Sequence, residues 1–152
     1  MMIPKNMKDK TIGIIGLGIS GKSAFKCLDA VGSRVYAYDD NRSSDLLVTN
    51  PKNWPWYELD QIIVSPGIPL SHPLIKKAKK LKIQINNEID IFAISLPKAK
   101  VIGVTGTNGK STTTSLLGHI ISFNGFKVQV GGNIGKAASS LTDPGKDGFI
   151  VL

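Results

Sequence analysis

Two kinds of apolar pattern alternate along this chain of 152 residues. Short, continuous apolar runs are typical of buried strands, and longer stretches with apolar residues three or four positions apart are typical of helices. Helical patterns lie between the predicted strands: one ends at Gly32, one carries a group of lysines, and two cover 88–95 and 111–123. This alternation predicts an α/β fold with parallel sheets, whose ligand loops lie at the carboxyl ends of the strands. The predicted strands are 11–15, 34–38, 61–64, 83–85, 101–105, 127–130 and 149–152.

The pattern also predicts two units. Residues 96–100 look like a link, so we predict a Rossmann-like parallel-sheet domain over 1–96 and the first part of a second domain over 97–152. The last predicted strand reaches the end of the chain without a turn or a cap, where a natural domain boundary seldom falls. We therefore expect the second domain to be truncated. The stretch 43–60, which contains two prolines, has no clear pattern.

Composition and charge narrow the class of protein. Apolar residues make up 41% of the chain and charged residues 20%, which is typical of a protein with a buried core. The formal net charge of +8 admits nucleic acid or a membrane, but it equally suits anionic small molecules such as nucleotides. Five lysines within 76–82 alternate with apolar residues at helical spacing, without aromatic residues or arginines. We interpret them as the solvent face of a helix and predict no nucleic-acid partner.

The single cysteine and the absence of long apolar runs indicate the compartment. Cys27 excludes an internal disulfide, and its apolar neighbours favour a buried helix position over a reactive thiol. No run approaches the ~18 apolar residues of a membrane span, and the first residues do not resemble a signal peptide. We expect a cytoplasmic protein with no membrane partner.

The first motif is Gly-Leu-Gly-Ile-Ser-Gly at 16–21, between a predicted strand and a helix. Such a turn lets a phosphate approach the backbone, and the helix N-terminus attracts an anion. Asp39 follows Gly21 by 18 residues at the end of the second predicted strand, close to the ~20 expected of a ribose-binding acid. The motif alone leaves open a nicotinamide dinucleotide, a nucleotide sugar or a purely structural turn.

The second motif is Thr-Gly-Thr-Asn-Gly-Lys-Ser-Thr at 105–112, again between a strand and a helix. Backbone N–H groups of such a loop surround phosphates, Lys110 can reach the β and γ oxygens, and the Ser111 hydroxyl can hold Mg²⁺. Val104 stands where a strict Walker loop has glycine. We predict ATP binding, for which a nicotinamide-dependent dehydrogenase has no use.

A third candidate loop, Ser-Pro-Gly-Ile-Pro at 65–69, follows the third predicted strand. Two prolines around a glycine stiffen the loop, and its N–H and hydroxyl groups could hold a uracil or a phosphate. By itself it could equally be an ordinary turn. Its value lies in its expected position beside the first glycine motif in a parallel sheet.

Together these loops resemble those of the Mur ligases, which join amino acids to UDP-N-acetylmuramic acid. The resemblance covers essentially the whole chain, and its most specific part is the loop 104–112. The branch of the family that adds D-glutamate is most similar. It shares the first and third loops, an acidic stretch seen here as Glu-Ile-Asp-Ile-Phe at 88–92, and Gly-Gly-Asn-Ile-Gly at 131–135.

The resemblance implies a role for each loop. Lys110 would be catalytic and Ser111 would bind Mg²⁺, while Asn41 or Arg42 stands where the family often has a basic residue. The implied ATP-binding residues are Gly106, Thr107, Asn108, Gly109, Lys110, Ser111 and Thr112. The implied residues for the UDP end of the substrate are Ile19, Ser20, Asp39, Asp40, Ser65, Pro66, Gly67 and Asn133.

The reaction that the resemblance implies is an ATP-dependent amide ligation in peptidoglycan synthesis. ATP would phosphorylate the L-alanine carboxylate of UDP-N-acetylmuramoyl-L-alanine, and the amine of D-glutamate would displace the phosphate. The resemblance implies ATP and Mg²⁺ as cofactors, and we expect a monomer.

The family's pattern continues past the last strand with a Mg²⁺-binding glutamate, a histidine, a modified lysine and a third domain, none of which this sequence contains. We interpret neither His72 nor His119 as catalytic. We therefore expect the 152 residues alone to be inactive as a ligase. An inactive relict, a nucleotide-sugar-binding module and a Mur-type ligase for another amino acid remain alternatives.

Overall fold

The computed structural model describes residues 4–41, 47–95, 97–132 and 135–152, and contains two parallel sheets within them. The strands are β1 (Thr11–Ile15), β2 (Arg34–Tyr38), β3 (Gln61–Val64), β4 (Gln84–Asn86), β5 (Lys100–Ile102), β6 (Val128–Val130) and β7 (Phe149–Val151). The α-helices are α1 (Ile19–Ala30), α2 (Pro73–Lys80), α3 (Glu88–Ile94) and α4 (Lys110–Phe123), and 3₁₀ turns cover Lys5–Met7, Pro51–Asn53 and Ala138–Ser140. The predicted α/β fold is confirmed.

The first sheet has the strand order β2-β1-β3-β4, with all neighbours parallel. Ile12 of β1 lies beside Val35 of β2 on one side and Gln61 of β3 on the other. The chain leaves β1 through α1 to reach β2, and β3 is added on the opposite side. This reversal creates a crevice at the carboxyl ends of β1 and β3, which is where open α/β sheets bind ligands.

Alternate side chains of the central strands enter two separate apolar clusters. Ile12 and Ile14 of β1 pack in the cluster that contains α1 residues and Ile91 of α3. Ile15 packs instead in the cluster of α2 and Trp54. The sheet is therefore covered on both faces, which explains why the central strands β1 and β3 are buried along their whole length and mostly apolar. The unclear stretch 43–60 supplies part of the second cover, and its residues 43–46 lie outside the described part.

Two smaller predictions are also confirmed here. Cys27 is fully buried in the α1 cluster, and burial raises the pKa of its thiol to about 11. In α2, Ile75 and Ala78 are buried while the lysines of 76–82 are exposed. Lys77 Nζ lies over the Trp56 ring, 4.1 Å from its centre, in a cation–π contact.

The second sheet has the order β5-β7-β6, again parallel. Helix α4 packs closely on it, because a Cβ at Gly118 would collide with the Val130 side chain. Strand β5 ends at Ile102, earlier than the predicted 101–105. The N–H of Val104 still donates to the carbonyl of Leu152 at 2.7 Å, so the pairing continues irregularly toward the phosphate loop.

Helix α3 joins the two units. Ile91 belongs to the cluster of the first sheet, and the next residue, Phe92, packs with Ala138, Leu141 and Ile150 of the second. Within the described residues, no helix has both the length and the apolar character that a bilayer crossing requires.

Candidate functional site

A cleft of about 510 Å³ opens at the carboxyl ends of β1 and β3. The predicted UDP residues Ile19, Ser20, Asp39, Ser65, Pro66 and Gly67 are all among its lining residues. The other lining residues are Gly16, Gly18, Asn41, Ile68, Gly132 and Gly135. Of the predicted set, Asp40 is not in the lining, and Asn133 lies outside the described residues, as does Arg42. The first and third sequence motifs thus meet in one place.

The glycine turn presents the start of α1 to the cleft. A Cβ at Gly21 would collide with the carbonyl oxygen of Gly16, so only glycine lets the helix lie this close to the turn. Gly18, the N-cap, has open space beside it and no side-chain hydrogen bond caps the helix. The first N–H groups of α1 therefore remain available, and the helix dipole adds partial positive charge to them. This end of the cleft favours an anion.

Asp39 joins the glycine turn to the end of β2. Its Oδ2 accepts the N–H of Leu17 at 2.6 Å and its Oδ1 accepts the N–H of Asn41 at 2.9 Å. The side chain is largely buried at the floor of the cleft. Each carboxylate oxygen has a second lone pair, so the group can still accept a hydroxyl hydrogen bond.

The Ser-Pro-Gly loop is fixed directly to the glycine turn. The Ser65 hydroxyl donates to the Gly16 carbonyl at 2.8 Å, and the Ser65 N–H donates to the Ile15 carbonyl at 3.0 Å. The loop closes with the Ile68 N–H on the Ser65 carbonyl at 3.0 Å. Pro66 and Gly67 are consequently held in the wall of the cleft.

Asp40 belongs to a neighbouring polar group. Its Oδ2 lies 3.1 Å from Nε2 of His72, whose Nδ1 accepts the Leu74 N–H at 3.2 Å as the N-cap of α2. A hydrogen bond to the same carboxylate raises the pKa of Tyr38. Asp40 is thus engaged with two side chains, and its contact with UDP stays a prediction. His72 acts as a helix cap.

The loop 105–109 of the second sequence motif is exposed and leads into α4. Gly109, the N-cap, has a φ of 76°, a left-handed conformation that favours glycine. Lys110 Nζ donates to the carbonyls of Gly106 and Thr107, the latter at 3.1 Å. Lys110 and Ser111 border a second, smaller cavity of about 160 Å³. Its other lining residues are Ile89, Val104, Thr114, Gly131, Gly132 and Leu152.

The metal assignment depends on Ser111. In the ranges that the structure describes, no three His, Cys, Asp or Glu side chains gather into a metal-binding group. A Ser111 hydroxyl beside a phosphate loop suits Mg²⁺, which takes few protein ligands and completes its shell with phosphate oxygens and water. The donor set fits a magnesium–nucleotide complex and offers no dedicated protein cage.

One stretch of chain borders both cavities. Gly132 lines the large cleft and the smaller cavity, and its N–H donates to the Lys136 carbonyl at 2.8 Å. Sequence reasoning selected Asn133 from this stretch and missed Gly132 and Gly135. The repeated glycines in the motif at 131–135 were the available signal.

A parallel sheet covered on both faces, with a glycine turn at its switch point, defines the class of Rossmann-like α/β proteins. Residues 10–87 match the family model described as Mur ligase MurD-like, N-terminal domain. The chain belongs to this family, as the resemblance of its loops had implied.

Relatives named UDP-N-acetylmuramoylalanine--D-glutamate ligase are similar to most of the chain. The protein from Wolbachia sp. subsp. Brugia malayi (strain TRS) is 38% identical, with 84% of this chain and 28% of that protein covered. The protein from Brucella abortus (strain 2308) is 36% identical, with 99% of this chain and 36% of that protein covered. The chain therefore spans about a third of the length of these relatives.

A solved structure supports the fold. UDP-N-acetylmuramate-alanine ligase MurC from Thermotoga maritima is similar with a TM-score of 0.52 and 24% identity. The match covers 93% of this chain and 36% of that protein.

Proposed function

We propose that this chain supplies the UDP-binding site and the first part of the ATP-binding site of a ligase that adds D-glutamate to UDP-N-acetylmuramoyl-L-alanine. The observation that carries the proposal is the cleft in which the glycine turn and the Ser-Pro-Gly loop converge. The family membership and the names of the relatives supply the reaction and its substrates.

The cleft suits the UDP end of such a substrate. The uncapped start of α1 is available for the diphosphate, and Asp39 can accept a ribose hydroxyl with its remaining lone pairs. Ile19 is 74% exposed at the mouth, where its side chain can cover one face of the uridine. Pro66 and Gly67 also line the cleft.

The loop 106–112 is proposed to bind the triphosphate of ATP. Lys110 would exchange its two carbonyl acceptors for phosphate oxygens, and the Ser111 hydroxyl would contribute one ligand to Mg²⁺. Bound ATP would supply the phosphoryl group that turns the substrate carboxylate into an acyl phosphate, from which an amine displaces phosphate. The charge of Lys110 would stabilise the group in transfer.

Several finer assignments accompany this proposal. We propose that the domain boundary lies at 96/97, that the protein works as a monomer in the cytoplasm, and that neither nucleic acid nor a membrane is a partner. A location in the cytoplasm agrees with the use of ATP and of a nucleotide-linked precursor.

Calorimetric titration tests the nucleotide specificity. UDP-N-acetylmuramoyl-L-alanine and UDP should each bind the 152-residue chain with measurable heat, and NAD⁺ should not, because the cleft is assigned to a uridine diphosphate. Binding of NAD⁺ in preference to both uridine compounds would contradict the proposal.

A further inference from the structure

The proposed function leaves one buried carboxylate without a role. Glu88 is the first residue of α3 and is only 4% exposed. Its Oε1 accepts the backbone N–H of Ser139, which lies 51 positions further along the chain in the 3₁₀ turn Ala138–Ser140. A buried charged acceptor needs such a partner, so the contact fixes the 3₁₀ turn to α3.

A second contact brings α1 to the same residue. The Ser139 side chain is fully buried, and its Oγ lies 2.7 Å from Oγ of Ser23 on α1. Ser139 is therefore attached through its N–H to one helix of the first unit and through its hydroxyl to another. Helix α1 begins at the cleft, where its N-terminus is proposed to bind the ligand. The Ser23–Ser139 contact therefore connects the 3₁₀ turn to this helix.

The attachment limits where Gly132 and Gly135 can lie. Gly135 lines the large cleft only four positions before Ser139, and a chain of that length extends at most about 14 Å. Gly132 borders the same cleft and also the cavity beside Lys110. If Ser139 moved away from Glu88, Gly132 and Gly135 would move away from the cleft with it.

We propose that Glu88 is a positioning residue that holds Gly132 and Gly135 at the nucleotide cleft by binding the Ser139 N–H. A ligand in the cleft then contacts Gly132 and Gly135. Gly132 also borders the cavity beside Lys110, so the ligand affects both sites. The inference rests on the proposed UDP site and adds the residue that connects that site to the second unit.

Asp90 provides a matched control on the same helix. Its carboxylate accepts the Asn87 N–H at 2.7 Å, and Asn87 Oδ1 accepts the Asp90 N–H at 3.1 Å, which completes a capping box. Removal of Asp90 weakens the start of α3 without touching Ser139. Glu88→Gln is the conservative variant, because its amide oxygen can accept the same N–H.

Amide NMR shifts in the labelled 152-residue chain, measured during a titration with UDP, test the inference. In the unaltered protein we expect shifts at Gly18 and Ile19 and also at Gly132 and Gly135. In Glu88→Ala the first pair should still shift while the second pair loses its response. Glu88→Gln should restore that response, and Asp90→Ala should keep it, because general weakening of α3 is not the cause.

The possible results separate the two proposals. An undiminished response of Gly132 and Gly135 in Glu88→Ala overturns the positioning role, even though UDP binds. A lack of shifts at Gly18 and Ile19 in the unaltered protein overturns the UDP site, and the positioning role with it. If Glu88→Ala does not fold, Glu88→Met decides, because it fills similar space without a carboxylate acceptor for the Ser139 N–H: a lost response of Gly132 and Gly135 supports the role, and an unchanged one contradicts it.

Discussion

At the scale of single residues, the polar side chains of the cleft act first on the backbone around them. Asp39 accepts two N–H groups with its two oxygens, and the Ser65 hydroxyl donates to the Gly16 carbonyl. Substitution of either residue would distort the glycine turn as well as any ligand contact. The exposed side chain of Ile19 offers a cleaner test, since it lines the cleft without a structural partner role of this kind.

We expect Ile19→Asp to weaken UDP binding by about tenfold, or ~1.4 kcal/mol, because a carboxylate beside the start of α1 repels the diphosphate. Leu70→Asp is the control, since Leu70 is 73% exposed against 74% for Ile19 and does not line the cleft. Calorimetric titration measures both. Equal weakening in the two variants would point to net charge instead of a local contact.

At the scale of elements, the α-helices begin in different ways: α1 and α4 each start at a glycine N-cap without a side-chain cap, and α2 and α3 are capped by side chains. The start of α1 is uncapped and faces the cleft, whereas α3 has the Asn87–Asp90 capping box and α2 has the His72 ring as its cap. Capped helices cannot offer the same N–H groups to an anion. The contrast supports the proposed anion binding at the starts of α1 and α4, and structural roles for the starts of α2 and α3.

The α2 cap predicts a specific stability change. His72→Ala should lower the free energy of unfolding by about 1 kcal/mol, since Leu74 loses its N-cap acceptor. His72→Asn should retain most of the stability, because asparagine is among the preferred N-cap residues. Urea denaturation measures the difference. An equal loss in both variants would mean that the ring's packing and its contact with Asp40 matter more than the cap.

At the scale of the whole molecule, each sheet has a carboxylate that binds backbone N–H groups at the amino end of one of its strands. Asp60 binds Lys10 Nζ and the Thr11 N–H, both at 2.8 Å, just where β1 begins. Asp143 binds the N–H groups of Lys98 and Ala99 at 2.7 and 3.2 Å, just before β5. The hydrogen bond from Lys10 lowers the pKa of Asp60, and the Lys98 N–H lowers that of Asp143.

These pKa values make the fold sensitive to acid. A carboxyl whose pKa is lower in the folded than in the unfolded state stabilises the fold above the unfolded value of about 3.9, and this contribution is lost as the pH falls below it. In the unaltered protein, acid lowers the free energy of unfolding. We expect Asp60→Asn and Asp143→Asn each to reduce this loss by about 0.5 kcal/mol, a small effect because both groups are exposed. Denaturation at pH values between about 2 and 6 tests this, and an unchanged slope in both variants would contradict it.

The sequence predicts the sheets better than the connections between them. Strands β1, β2 and β3 were located correctly because strands in a parallel sheet covered on both faces form apolar runs. The stretch 43–60 was unclear because its order depends on distant partners, such as the Trp54 ring lying over Gly13. The loops of the cleft carry recognisable motifs. The Glu88–Ser139 contact does not, since its donor is a backbone N–H that any residue could supply.

Helix α3 has a consequence for how the chain loses its structure. Its seven residues are too few for a helix that is stable alone, yet Ile91 contributes to one apolar cluster and Phe92 to the other. When α3 detaches, both clusters lose a member at the same moment. We therefore expect the two halves to unfold together, because α3 and the Ser23–Ser139 contact of α1 both connect them.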